Sequence, residues 1–370
     1  RYPNRNYIVL VPEQFTMQTQ KDLVTMHDRG GIMNIDVLSF ARLAYRVFEE
    51  TGAGALPVLD DEGKNLILRK IAGNYEKDLK VLRGNMKKLG YISEVKSVIS
   101  EFTQYDIGSE EIERVMESVG ESSRLYYKLQ DIKLLYEAFM DYLEEKYITK
   151  EELLDVLSRV AGQSEMLKNS TVVLDGFTGF TPVQNRLLAK LMKHCREVVV
   201  TVTMDKREDP YVYRHPYQLF ALSKQMVTSL VDIAKRERIE IEESEELYEE
   251  VPWRYRKNEE LAFLERNLFR YGHLTHESAQ SIRLHAARNP KQEAYVAMGN
   301  VRRLLREDGL LCRDIGVIVS DMEVYGDYLK QASAEYEIPV FMDQKRSILL
   351  NSFVEYLRSL LNMADQNFTY

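Results

Sequence analysis

The chain has 370 residues, a length that predicts two or three structural units rather than one. Hydrophobic residues make up 45% of them, which allows sizeable cores and excludes a disordered chain. The formal net charge of −8 excludes a uniformly basic surface, so we expect any contact with nucleic acid in a local groove. The two cysteines, Cys195 and Cys312, suit a reducing compartment and are too few to hold an iron–sulfur cluster alone.

Both ends of the sequence resemble cuts in a longer protein. The chain opens at Arg1 without an initiator methionine or a signal peptide, and no closing element precedes Tyr370. No apolar run approaches the length of a membrane helix. We therefore expect a fragment of a cytoplasmic protein that makes no membrane contact.

Strand-like and helix-like segments alternate at the start of the chain and again after residue 162. Short apolar runs predict buried parallel strands at 7–11, 35–38, 171–175 and 197–202. Ser39 is expected to cap a helix over 40–50, and a second helix is expected over 182–194. Between these parts, over residues 59–162, apolar spacings of three and four predict helices only. We therefore expect a helical insertion into one sheet domain.

The second half of the chain begins with an acid-rich segment, residues 240–250, which is typical of a solvated connector. Beyond it, apolar runs predict strands at 281–286, 315–319 and 338–341. The last of these is an expected edge strand, because Pro339 cannot donate to a ladder. Helical spacing predicts helices over 292–306 and 352–363.

The most informative segment is the apolar run that ends at Asp175. In P-loop NTPases an Asp in this position helps to hold Mg²⁺, and a neighbouring Glu orients the attacking water. Here Gly176 follows, which has no side chain to polarise water, so the hydrolytic part of such a site would be disabled. Gln184, nine residues after Asp175, matches the second motif of UvrD-like superfamily 1 helicases. The alternative is that Asp175 only caps the following loop or helix.

No phosphate-binding loop accompanies this motif. The nearest imitation is Gly63-Lys64, but Asn65 follows where Ser or Thr is needed, and no glycine stands five residues before Gly63. ATP binding by a longer protein is left open by this sequence.

The pattern as a whole predicts an α/β fold with two RecA-like units of the superfamily 1 helicase type. The first unit is discontinuous, covers residues 1–58 and 163–278, and contains a parallel sheet. The helical insertion covers residues 59–162. The second unit begins at residue 279 and is truncated at residue 370.

The sequence resembles the AddB family, also called RexB, whose members are subunits of the bacterial ATP-dependent helicase/deoxyribonuclease. VPEQFTM at 11–17 and VLSFARLAYR at 37–46 are similar to the N-terminal region of that family. LDGF at 174–177 with FTP at 180–182 resembles its degenerate second helicase motif. IPVFMD at 338–343 with FVEYL at 353–357 resembles its second helicase-like domain. The similarity keeps its order over nearly the whole chain.

The resemblance implies a subunit that partners an AddA-type motor and nuclease in the repair of double-strand breaks by recombination. Its helicase-like domains have lost motor activity, bind single-stranded DNA as it emerges from the duplex, and recognise the Chi signal. A nuclease domain with Mg²⁺ and a 4Fe-4S cluster is implied beyond residue 370, with ATP as a further possible ligand. Within these 370 residues we expect no catalytic residue, no metal ligand and no activity in isolation.

The resemblance also implies five residues that read the signal, namely Gln14, Thr16, Phe40, Arg42 and Phe177. The two phenylalanine rings would stack unpaired bases, each contributing about 1–3 kcal/mol. The amide and the guanidinium would contact base edges or phosphates, and the hydroxyl would donate to either. The alternative is that both rings are core and that Arg42 is an ordinary surface residue of a helix.

Two other functions remain in competition. An active superfamily 1 helicase requires a catalytic carboxylate beside Asp175, and Gly176 argues against it. A scaffold that binds only protein predicts buried rings at Phe40 and Phe177. The exposure of the five residues in a structure should therefore discriminate between DNA binding and a scaffold.

Overall fold

The computed structural model divides into two compact units, residues 1–248 and residues 249–370. It describes residues 5–28, 30–53, 56–144, 146–249, 251–270, 272, 274–342, 348, 351–366 and 368. The division falls inside the acid-rich segment 240–250, about thirty residues before the domain boundary that we expected at 278/279.

Parallel strands form the centre of the first unit. The strands are β1 Asn6–Leu10, β2 Ile35–Leu38, β3 Val58–Leu59, β4 Ile148–Thr149, β5 Ser170–Leu174 and β6 Glu197–Val200. A four-stranded sheet has the order β2-β1-β5-β6, and all its pairs are parallel. Leu10 lies opposite both Leu38 and Leu174, so the strands end at one edge. This sheet confirms the predicted α/β class and is consistent with a RecA-like fold.

Helices connect these strands and cover the sheet. They are α1 Thr16–Met26, α2 Phe40–Thr51, α3 Asp61–Asn74, α4 Leu89–Tyr105, α5 Ser109–Val119, α6 Arg124–Leu143, α7 Leu153–Val160, α8 Glu165–Lys168, α9 Pro182–His194 and α10 Ala221–Glu237. The predicted helices over 40–50 and 182–194 are confirmed, and Ser39 Oγ accepts from the backbone N–H of Arg42 as a cap.

The first unit contains two hydrophobic cores. One joins the sheet to α2, α7 and α9 through residues such as Leu10, Leu43 and Leu187. The other lies among α3, α4 and α6 and is built from residues such as Leu68, Ile92 and Leu135. The stretch expected as an insertion, 59–162, therefore has a core of its own over most of its length. Its last part does not, because α7 packs into the core of the sheet.

Arg186 on α9 ties the helical stretch to the sheet. Its guanidinium donates to Asp106, which ends α4, and to Asp155 of α7 at 3.0 Å and 3.3 Å. Asp106 has a left-handed backbone with φ of 60° that ends the helix and turns the chain. The side chain of Arg186 thus bridges three helices.

The second unit contains α11 Glu259–Asn267, α12 Pro290–Glu307, α13 Met322–Glu335 and α14 Ser352–Asp365. The predicted helices over 292–306 and 352–363 are confirmed. A small core between α12 and α13 includes Met298 and Leu329. In the part of this unit that the structure describes, the strands predicted at 281–286, 315–319 and 338–341 are absent.

The physical reason is a lack of hydrogen-bonding neighbours. A strand exists only where a second strand accepts and donates along its length, and these apolar segments have none in the described residues. Ile318, expected in a buried strand, and Leu284, expected in a strand, are almost completely exposed. The truncated second RecA-like unit therefore stays a prediction, and Asp343 of the IPVFMD motif lies outside the described residues. None of the helices described is long and apolar enough to cross a membrane.

Candidate nucleic-acid interface

The carboxyl edge of the four-stranded sheet collects the residues singled out from the sequence. Gln14 and Thr16 follow β1, Phe40 and Arg42 follow β2, and Phe177 follows β5. Because these strands are parallel neighbours in register, the segments that leave them emerge side by side. Ligands of open α/β sheets characteristically bind at this edge.

The turn after β1 presents one predicted residue and buries another. Gln14 is exposed in the 3-10 turn Glu13–Phe15, and its side chain has no hydrogen bond within the described residues. Thr16 is only 4% exposed, and its Oγ1 donates to the carbonyl oxygen of Glu13 at 3.0 Å. The hydroxyl proton of Thr16 is therefore occupied by the turn, whereas the amide of Gln14 is available to a ligand.

Three phenylalanines form a cluster between β2 and β5 at this edge. The ring centroids of Phe40 and Phe177 are 5.4 Å apart, those of Phe177 and Phe180 are 5.2 Å apart, and those of Phe40 and Phe180 are 6.4 Å apart. Phe40 is 8% exposed and belongs to the core, whereas Phe177 and Phe180 are half-buried. Phe177 thus retains an accessible surface, and Phe40 supports it from behind.

Arg42 lies in the first turn of α2, and its side chain is exposed. Within the described part of the chain it makes no ion pair. The amino end of α2 adds unpaired backbone N–H groups and the positive end of the helix dipole. A phosphate beside Arg42 would therefore meet favourable charge from the side chain and from the helix.

The Asp175 carboxylate is held at the same edge by Thr201, the residue that follows β6. Thr201 Oγ1 donates to Asp175 Oδ1 at 2.5 Å, and the Thr201 N–H donates to the carbonyl oxygen of Leu174 at 3.0 Å. Gly176 then turns the chain with φ of +75°, a left-handed conformation that side chains disfavour. The residue that would carry the water-activating acid of a motor therefore stands in a backbone suited to glycine.

Gln184 has a structural task in this structure. Its Oε1 accepts from the backbone N–H of Thr181 at 2.8 Å, and its own N–H donates to Thr181 Oγ1 at 3.3 Å. The two bonds form a capping box at the start of α9. The acceptor atom of Gln184 is thus committed to the helix end, which accounts for a glutamine at this position without a nucleotide.

Two contributors to the edge were missed by sequence reasoning. Phe180 belongs to the FTP motif but is not among the predicted site residues, although its ring completes the cluster. Thr201 was hidden because the predicted strand ran to residue 202, whereas β6 ends at Val200. A polar residue immediately after a strand is the signal that would have identified it.

Gly63-Lys64, the pair that resembles part of a phosphate-binding loop, lies in α3 of the helical stretch. Lys64 of α3 is 1% exposed, and its Nζ lies 2.6 Å from Glu151 and 3.2 Å from Ser100. A side chain on Gly63 would place Cβ only 2.5 Å from Leu59 Cδ1, so close packing explains this glycine. Among the described residues, no group of three or more His, Cys, Asp or Glu is arranged to hold a metal ion.

A family model described as "ADDB, N-terminal" matches residues 1–265, which is more than half of the chain. The chain belongs to the AddB family. It is 43% identical over 372 residues to the B-type ATP-dependent helicase/deoxyribonuclease subunit of Lachnoclostridium phytofermentans, with 100% of this chain and 32% of the relative covered. The resemblance expected from the short motifs is thereby confirmed.

Other members of the family match over almost the same span. The corresponding subunit of a Thermoanaerobacter species is 34% identical over 364 residues, covering 98% of this chain and 31% of the relative. The corresponding subunit of Clostridium perfringens is 29% identical over 369 residues, covering 100% and 32%. The chain therefore spans about a third of the length of these AddB-family relatives.

Proposed function

We propose that this chain is the part of an AddB-type subunit that binds single-stranded DNA and recognises the Chi signal at the carboxyl edge of its sheet. The complete subunit would act with an AddA-type partner in the repair of double-strand breaks by recombination, where both single-stranded and double-stranded DNA are present. The observation that carries the proposal is the half-buried ring of Phe177, supported by Phe40 and Phe180.

The geometry favours stacking on Phe177. An unpaired base that stacks on an aromatic side chain gains about 1–3 kcal/mol. Because Phe40 and Phe180 already contact the ring of Phe177, little further freedom is lost when a base arrives. Phe40 is too buried to stack a base itself, so we assign it to the support of Phe177.

Polar groups beside the cluster supply direction and charge. The exposed amide of Gln14 can both donate and accept, which suits a base edge. Arg42 and the amino end of α2 suit a phosphate. Thr16 is as buried as Phe40, so we assign its hydroxyl to the turn that presents Gln14.

An inactivated helicase-like module is favoured over an active UvrD-like helicase. The left-handed turn at Gly176 disfavours an acid beside Asp175, whose carboxylate is bonded to Thr201. Gln184 is committed to its capping box. The AddA-type partner would therefore supply translocation.

The residues of this chain do not fit the cofactors implied for the complete protein. Burial raises the pKa of the Cys195 thiol to about 12, so it does not form the thiolate that an iron–sulfur cluster requires. Asp175 belongs to no group of three or more His, Cys, Asp or Glu residues that could hold a metal ion among the described residues. We therefore assign the 4Fe-4S cluster, the Mg²⁺-dependent cleavage and any ATP site to other parts of the assembly.

The scaffold alternative gains only partial support. It predicted two buried rings, and Phe40 alone is buried to that degree. Gln14 and Arg42 are exposed at the same edge as Phe177, which favours a ligand there.

The experiment compares Phe177→Ala and Phe177→Leu with the unmodified protein in the complete two-subunit complex. Binding of single-stranded oligonucleotides with and without a Chi-like signal is measured at several salt concentrations. Loss of stacking should weaken binding of the signal by roughly tenfold in both variants, since leucine keeps the bulk but not the ring.

Tyr105→Ala, which removes an exposed ring of α4, is the matched control and should leave the preference unchanged. A preference for the signal that survives both Phe177 substitutions would contradict the proposal.

A further inference from the structure

The segment between α3 and α4 carries a concentration of positive charge that the sheet edge does not use. Residues 76–88, which we call the basic loop, contain five basic and two acidic side chains. The basic loop therefore has a net charge of +3 in a chain of net charge −8. The basic residues are Lys77, Lys80, Arg83, Lys87 and Lys88, and all are exposed. This part of the surface therefore has the opposite sign to the protein as a whole.

The backbone of the basic loop is fixed by buried anchors. Leu79, Leu82 and Met86 are buried in the core of the helical stretch. Asp131 of α6, which is 1% exposed, accepts from the backbone N–H groups of residues 80, 81 and 82 at 2.9 Å, 2.7 Å and 2.8 Å. The basic residues alternate with these anchors, and a rigid backbone holds them outward.

The charges of the basic loop are only partly compensated. Lys87 Nζ lies 3.1 Å from Glu76, and this ion pair is exposed. Lys80 Nζ lies 4.8 Å from the ring centroid of Tyr127, a contact that orients the ammonium group without neutralising it. Lys77 and Arg83 make no ion pair within the described residues. Asp131 forms no ion pair with them among the described residues, and both its oxygens accept from the backbone.

We propose that the basic loop binds the phosphate backbone of DNA, independently of base sequence. Cations held in place on a rigid loop release counterions from DNA at little cost in ordering. The backbone N–H groups of residues 80–82 are already filled by Asp131, so we assign the contact to the basic side chains, whose contacts with phosphates carry no base information.

DNA is favoured over an acidic protein surface by what else lies near the basic loop. Exposed Tyr91 follows it, with Lys88 Nζ 5.9 Å from its ring centroid, and basic residues interleaved with tyrosines are typical of nucleic-acid surfaces. The relatives of this chain are named as subunits of a helicase/deoxyribonuclease. This surface belongs to the helical stretch and involves no residue of the phenylalanine cluster, so the two proposals stand separately.

The test removes three exposed charges from the basic loop in the complete two-subunit complex. The variant combines Lys77→Ala, Lys80→Ala and Arg83→Ala, and leaves the buried anchors intact. The control combines Lys150→Ala, Lys190→Ala and Arg196→Ala, which removes the same charge from exposed positions elsewhere in the first unit. Affinities for a blunt duplex and for a single strand of matched length without a signal are measured between about 50 and 200 mM salt.

If the basic loop contacts DNA, the plot of log affinity against log salt concentration is less steep for the variant than for the control. The magnitude of the slope decreases by roughly 2–3 for a duplex, or roughly 2 for a single strand. The probe whose binding becomes less dependent on salt, duplex or single strand, identifies the kind of DNA that the basic loop contacts. Slopes equal to those of the control for both probes overturn the proposal. So does unchanged DNA affinity with weakened subunit assembly, which would assign the basic loop to a protein partner. The preference for a Chi-like signal should persist in the variant.

Discussion

The backbone conformation of Gly176 bears directly on the active-helicase alternative. Its φ of +75° places it in the left-handed region, and an added Cβ would meet only Pro12 Cδ at an ordinary 3.7 Å. The obstacle to a side chain is therefore the clash of Cβ with its own backbone in this conformation, and not a contact with a neighbouring residue. The active-helicase alternative requires an acid near this point, and the local backbone disfavours one.

We predict that Gly176→Ala lowers the free energy of unfolding by about 1–2 kcal/mol, the cost of the left-handed region for a residue with Cβ. Urea unfolding of the purified protein measures it. Gly179→Ala is the matched control, because Gly179 lies in the same loop with an ordinary φ and open space around it. Equal effects of the two substitutions would show that the turn at Gly176 imposes no such constraint.

The sequence does not reveal which of the five proposed contact residues are exposed. The exposure of Gln14 and Arg42 agrees with a contact role, but the burial of Phe40 could not be inferred from its position alone. Phe40 begins a helix at the edge of a sheet, and whether its ring faces the core or the solvent depends on Phe177 and Phe180 more than one hundred residues away. Short-range patterns contain no information about such contacts.

At the scale of elements, apolar runs predicted the strands of the four-stranded sheet to within two residues, because buried parallel strands are continuously apolar. The two-residue strands β3 and β4 are too short to leave any periodic signal. The strands predicted in the second unit failed for the opposite reason. Their composition is suitable, but pairing depends on a neighbour that composition does not reveal.

Asp131 offers a sharp test of how the helical stretch holds its connecting segment. We predict that Asp131→Ala lowers the free energy of unfolding by about 3 kcal/mol or more, because three backbone donors lose their charged acceptor in a buried place. Amide hydrogen exchange at residues 80–82 should accelerate at the same time.

Asp141→Ala, an exposed position on the same helix, controls for the loss of a carboxylate from α6. Equal free energies of unfolding for the Asp131→Ala and Asp141→Ala variants would contradict the role of Asp131 as a buried anchor.

On the scale of the whole molecule, the described residues of the first unit form two cores, one on the sheet and one in the helical stretch. The chain enters the helical stretch through β3 and leaves it through β4, and these two strands pair with each other. The sequence predicts a helical insertion because strands of one type flank a helical stretch. It did not predict that α7 returns to the sheet, since the helical spacing of α7 is indistinguishable from that of the helices before it.

We predict that the two cores respond separately to cavities. Leu135→Ala and Leu187→Ala each remove a completely buried side chain, and each should cost about 2–5 kcal/mol. In hydrogen-exchange measurements, Leu135→Ala should raise exchange in α3, α4 and α6, and Leu187→Ala should raise it in the sheet. Uniform acceleration throughout the first unit in both variants would instead indicate a single cooperative block.

Arg186 connects the helix α9, which packs on the sheet, to the helical stretch. It stands five residues after Thr181, whose hydroxyl caps α9 at the edge where Phe177 lies. A helix this short moves as a rigid rod, so a ligand that shifts its capped end also shifts the arginine. Because Asp106 holds that arginine from the end of α4, the motion would tilt the helical stretch. If DNA binds at the sheet edge as proposed, a displacement of the capped end of α9 would reach α4 and α7 through the contacts of Arg186.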